Sequence, residues 1–255
     1  MLKVKLKLAR LLSSIKMLLL FAKYMQPRES TFNGHPIKDF YNTYDFFFRF
    51  RSPKFLREHR KYFSREQRGF GEDAFHTAWF HLFTNFRPIN CLEIGVYRGQ
   101  IISLWVLLGK ELNINVNVWG VTPLAPELDS VSNYGEMNYK DDIESHFKHF
   151  NLGKPQIIQG LSTESKVKET IESTIWDLIY IDGGHDYEVV LSDYEIAKKS
   201  SSESTIICFD DSSLNFTSDG TFKGHPGPSR VVSEIALDEM QYLFTVGHLN
   251  FFRKK

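Results

Sequence analysis

From about Gly71 to the C-terminus, short apolar runs alternate with longer amphipathic stretches. This rhythm limits the fold more than any other feature of the chain. A run that is followed by a helix cannot turn straight back on itself, so successive strands lie parallel, with helices covering both faces of the sheet. Periodicity predicts strands at Asn90–Val96, Val116–Val121, Gln156–Gln159, Trp176–Ile181 and Ser204–Phe209. Helices are predicted at Glu72–Asn85, Gly99–Leu112, Lys140–Phe150, Ser162–Glu172, Tyr187–Lys199 and Ser229–Glu239. The end, Tyr242–Phe252, reads as a hairpin turning near Gly247-His248. The expected fold is α/β, a doubly wound and mostly parallel sheet of seven strands with the last one antiparallel. Ligands of such sheets bind beyond the carboxyl ends of the strands.

Three zones precede or make up this pattern: 1–25, 26–70 and 71–255. The net charge is zero, but residues 1–68 hold sixteen Lys/Arg against five Asp/Glu, which leaves an acidic body. Residues 1–25 carry lysines and arginine without an acid and have no apolar run long enough to span a bilayer. They read as a basic amphipathic segment that packs on protein or lies on an anionic membrane surface. Residues 26–70 read as a helical extension of short helices and loops, rich in aromatic and basic residues, that serves as a lid, a subunit contact or a glycolipid contact. The acidic body argues against broad nucleic-acid binding. Two cysteines, Cys91 and Cys208, fall in predicted strands with no metal or disulfide spacing, which points to a reducing, cytoplasmic setting.

Chemistry concentrates at three strand ends. In Cys91-Leu92-Glu93-Ile94-Gly95-Val96-Tyr97-Arg98-Gly99 an apolar strand ends in a glycine turn that opens a helix, so backbone can approach a ligand closely. Glu93 is an acid in an apolar strand and needs a partner, such as a cationic amino group. In Ile179-Tyr180-Ile181-Asp182-Gly183-Gly184-His185 the next such strand ends in Asp182, with His185 in reach as a proton carrier. Asp210 and Asp211 follow the neighbouring strand, and with Asp182 they make a carboxylate set suited to a hard divalent cation. Gly224-His225-Pro226-Gly227-Pro228-Ser229-Arg230 forms a rigid turn with Ser229 as the expected N-cap. His225 and Arg230 there are candidates for an anionic substrate group.

The pairing of L-E-I-G-x-x-x-G with I-D-G-x-H-x-Y and a later D-D resembles the class I, Rossmann-like S-adenosylmethionine-dependent methyltransferases. The likeness covers about residues 71–255. More narrowly, it resembles the branch with macrolide-sugar O-methyltransferases and cephalosporin-hydroxylase-like proteins. The resemblance implies that Glu93, Gly95, Tyr97, Gly99 and Asp182 line the S-adenosylmethionine site. It further implies that Asp182, Asp210 and Asp211 hold a divalent metal, Mg2+, and that His185 with the metal activates an acceptor hydroxyl. Thr122 stands where the family usually has an acid for the ribose, with Asp129 in the loop beyond it. Ser162 stands at another commonly acidic position, where it caps its helix or touches the adenine side. The expected partner is a small-molecule or glycan acceptor, and a homo-oligomer or a peripheral membrane contact is compatible. Two alternatives stand beside this reading: a binding or scaffold protein that kept the fold without catalysis, and a hydroxylase-like relative.

Overall fold

The structure, a computed structural model, describes residues 28–32, 35–125, 138–215 and 222–255. The basic segment 1–25, Asp129 and most of the loop after Thr122 lie outside the described residues.

The described residues begin with an antiparallel pair, β1 (Arg28–Phe32) and β2 (His35–Asp39), then α1 (Tyr41–Arg51), α2 (Lys54–Phe63) and α3 (Asp73–Phe86). The alternating body follows: β3 (Asn90–Ile94), α4 (Gln100–Leu112), β4 (Asn117–Thr122), α5 (Tyr139–His149), β5 (Gln156–Gln159), α6 (Ser165–Glu172), β6 (Trp176–Ile181), α7 (Tyr187–Lys199) and β7 (Ser201–Phe209). It closes with α8 (Pro226–Ser233), β8 (Met240–Val246) and β9 (Leu249–Lys254). The sheet order is β1-β2-β8-β9-β7-β6-β3-β4-β5. Strands β5, β4, β3, β6 and β7 are parallel, and β9 enters antiparallel between β7 and β8. The doubly wound sheet with an antiparallel terminal strand is therefore present.

Period-two alternation on β6 explains the layering. Leu178 and Tyr180 face one core with Trp79, Trp105 and Phe251, while Ile179 and Ile181 face the other with Tyr194, Phe209 and Phe252; Trp176, before a register shift in the strand, joins the second core. Helices α1–α5 cover the first face and α6–α8 the second. The aromatic zone before residue 70 feeds the first face: Phe46, Phe48, Leu56 and Phe63 are buried, whereas Phe50 stays exposed. Much of its apolar content is thus core packing and not an open contact surface.

Three expectations are corrected. Residues 26–70 contain strands, because β1 and β2 extend the sheet edge through a parallel contact of Asp39 with Thr245. At five residues each, with polar and apolar positions mixed, they carry too little periodicity to read. Helix α8 starts before Ser229, since Pro226 occupies its first turn and has no N–H to leave unpaired. Ser229 is instead inside the helix, where its hydroxyl accepts from Leu214 N–H at 3.1 Å. Ser162 does not cap α6, whose N-cap is Glu164. Among the described residues no helix is long and apolar enough to cross a membrane.

Candidate active site

The parallel strands β3, β6 and β7 run side by side, so their carboxyl ends bring the three sequence constellations together. At the end of β3, Gly95 has φ +99, and a Cβ there would lie 2.0 Å from the Asp182 carbonyl oxygen. The two strand ends can meet this closely only because that position is glycine. Gly99 has φ +82 and opens α4 with no side-chain cap.

Glu93 is 3 % exposed, and its Oε2 accepts from Ile102 N–H in the first turn of α4 at 3.2 Å. Burial pushes its carboxyl well above the usual carboxylate range, and the Ile102 N–H works against that shift. A helix-end donor within the fold thus pairs one oxygen of Glu93. Tyr97 is held against Tyr139 and Phe70, each at 5.2 Å between ring centroids. Thr122 is 1 % exposed and accepts from Leu124 N–H at 3.1 Å, which turns the chain at the end of β4.

Beyond β6 and β7 a small, solvent-open pocket lies between Asp182–His185 and Asp210–Asp211, bordered by Val190 and Pro228. The Asp182 and Asp210 carboxyls stand side by side at the ends of neighbouring strands β6 and β7. Burial, then the Asp210 carboxylate, push the Asp182 carboxyl well above its usual range. Burial and Asp211 also raise Asp210, while His248 and Asp182 draw it back.

Asp211 is the centre of the cluster. His185 Nε2 lies 3.1 Å and His225 Nε2 3.5 Å from its Oδ2. The two imidazoles stack at 4.1 Å between centroids. His248 Nε2 lies 3.3 Å from Asp210 Oδ1 and 3.7 Å from Asp211 Oδ1. Backbone packing sets this arrangement. A Cβ on Gly224 would strike the Asp211 carbonyl and one on Gly227 the His185 carbonyl, so the 224–227 turn lies directly on both. His225 N–H donates to the Asp211 carbonyl at 2.8 Å.

Of the residues expected at the site, Asp182, His185, Asp210, Asp211 and His225 converge. Arg230 does not join them: it pairs with Glu234 at 2.9 Å and lies over the Tyr187 ring at 3.9 Å, on the outer side of α8. An i,i+4 partner on its own helix captures it. His248 was missed, since the sequence shows it only as half of a hairpin turn.

Residues 92–212 match a family described as a methyltransferase domain. Solved structures share the fold. The SAH-bound methyltransferase PaMTH1 of Podospora anserina aligns at 14% identity over 80% of this chain and 89% of its own, with a TM-score of 0.55. The Bacillus cereus O-methyltransferase in complex with SAH aligns at 19% identity over 83% and 97%, with a TM-score of 0.57. TomG of Streptomyces achromogenes, an O-methyltransferase of tomaymycin synthesis solved with SAM, aligns at 11% identity over 84% and 96%, with a TM-score of 0.53. No curated protein matches the chain. The stretch that carries the glycine turn, Asp182 and the two later aspartates thus resembles a methyltransferase domain, and it is set in a doubly wound, Rossmann-like sheet.

Proposed function

We propose that this protein is an S-adenosylmethionine-dependent O-methyltransferase that works with a divalent metal on a sugar or glycan-like hydroxyl. One observation carries the reading: the β3 glycine turn, Asp182 and the Asp210–Asp211 pair meet at adjoining carboxyl ends of parallel strands. The methyltransferase-domain match and the SAH- and SAM-bound proteins of the same fold support the cofactor. The sugar acceptor rests on the resemblance of the sequence motifs.

The residues suit both groups. Gly95 and Gly99 keep side chains off the turn, and α4 presents its N-terminus there without a cap from Gly99. Tyr97, Thr122 and Asp182 border the same end of the sheet. S-adenosylmethionine, when bound, supplies a methyl group on a sulfonium. Asp210 Oδ1 is buried without a hydrogen bond, as a carboxylate awaiting a cation would be. A divalent metal, when bound, supplies Lewis acidity that lowers the acceptor's pKa. His185 is the base. It takes the hydroxyl proton, and the imidazolium is favoured by Nε2–H donating to Asp211 Oδ2. In-line transfer then depends on alignment, which the strand ends impose.

The test is mass spectrometry of a panel of sugar and glycan acceptors incubated with the protein and S-adenosylmethionine. We expect a product heavier by one methyl group and a loss of about 10²–10⁴-fold in turnover for His185→Gln. Asp210→Asn and chelation should each suppress turnover. A product heavier by one oxygen would refute methyl transfer, and turnover indifferent to both Asp210→Asn and chelation would refute the metal.

A further inference from the structure

We infer that His248 is a metal ligand, and that with Asp210 and Asp211 it forms a one-imidazole, two-carboxylate site for a transition-metal cation of the Zn2+, Fe2+ or Co2+ kind. The inference rests on the metal-assisted reading above and revises the Mg2+ that the sequence motifs imply. His248 lies outside the matched residues 92–212, so the family match assigns it nothing.

Three observations place it. The first is donor geometry. His248 Nε2 stands 3.3 Å from Asp210 Oδ1 and 3.7 Å from Asp211 Oδ1, and the three ligand atoms lie within 4.8 Å of one another. Metal–donor bonds of ~2.0–2.2 Å separate neighbouring donors by about 3–3.5 Å, so the spacing is close to that of a ligand shell. The second is an orphan. Asp210 Oδ1, the atom nearest His248, is buried and makes no hydrogen bond. A buried carboxylate oxygen facing an imidazole without a hydrogen bond is costly unless a cation lies between them.

The third is that the imidazole is held from several sides. Gly247, φ +60, opens a two-residue turn closed by the Val246–Leu249 pair, in the manner of a II′ hairpin. Gly247 N–H donates to Asp39 Oδ1 at 3.0 Å. Ser212 N–H donates to the His248 carbonyl at 3.1 Å, which ties the turn to the residue after Asp211. The ring is packed edge-on against Phe75 at 4.6 Å and Phe222 at 5.2 Å, and His248 is 8 % exposed. Metal sites need ligands fixed by surroundings of this type.

Asp211 divides its oxygens. Oδ1 turns to His248, and Oδ2 faces His185 and His225. One carboxylate thus joins the metal side to the proton-transfer side. An imidazole among carboxylates moves preference away from Mg2+, which favours oxygen donors alone, and toward borderline cations.

The experiment is calorimetry of metal-stripped full-length protein with Zn2+ and, separately, Mg2+, alongside thermal midpoints. We expect Zn2+ to bind more tightly. His248→Gln should weaken Zn2+ at least tenfold while changing Mg2+ by less than about threefold and leaving the metal-free midpoint in place. His248→Glu should restore a site but favour Mg2+ relative to wild type. Zn2+ affinity unchanged in His248→Gln yet lost in Asp211→Asn would overturn the role of His248 and leave a carboxylate site standing. No binding of either cation would overturn the site itself. S-adenosylmethionine binding, measured on the same samples, reports on the methyltransferase reading separately. Should His248→Gln not fold, equal Zn2+ and Mg2+ affinity in the wild type would also overturn the inference.

Discussion

At the scale of single residues, the site is a set of close approaches that tolerate little change. Gly95→Ala would drive a Cβ to 2.0 Å from the Asp182 carbonyl. We expect a loss of more than ~2 kcal/mol in urea denaturation, because a backbone atom has nowhere to retreat. Glu93→Ala would leave Ile102 N–H buried without an acceptor, and about 1–3 kcal/mol of stability should go with it, whereas Glu93→Gln keeps an acceptor and should lose less. Asp182, His185, Asp210 and Asp211 were legible in the sequence because they follow apolar runs at once or within a few residues, and strand ends are where doubly wound sheets bind ligands. His248 was not legible. It follows Asp211 by a long stretch of chain, and only the antiparallel entry of β9 beside β7 brings its turn to the site. Arg230 misled for the opposite reason: it sits near His225 in sequence, but the helix turns it outward to Glu234.

Among the elements, the helices before the glycine turn carry an unusual buried chain of polar groups. His59 Nδ1 lies 3.1 Å from His76 Nε2, and His59 Nε2 lies 3.1 Å from Ser103 Oγ, linking α2, α3 and α4. Both rings are fully buried. Burial holds His76 down to about 3 and His59 well below its usual range. Nearby, burial lowers His146 to about 4. In the unfolded chain these groups take protons near pH 6.5, so below that pH the unfolded state binds more protons and gains. Stability contributed by the three neutral rings is therefore full above about pH 6.5 and falls as the pH drops toward the folded values. The urea midpoint should fall between pH 7 and pH 5, and replacing His59 and His76 together with apolar residues should flatten that fall. A midpoint independent of pH over this range would contradict the neutral-chain assignment. The strands β5 and β6 and the helix α7 could be read with little error, since the two strands are short apolar runs with polar or turn residues around them and the helix is a longer amphipathic stretch. The antiparallel pair β1–β2 could not, because pairing with a distant edge strand decides it and local sequence does not.

Across the whole molecule, the sheet has a division of labour. The parallel strands β3, β6 and β7 gather the chemistry at one end, and the antiparallel pair β8 and β9 beside them supplies the turn that closes the cluster. On the proposed function, this end of the sheet binds S-adenosylmethionine. Calorimetry of the full chain with S-adenosylhomocysteine tests it most directly. We expect saturable one-to-one binding with a raised thermal midpoint. No heat and no shift in midpoint up to millimolar ligand would contradict it.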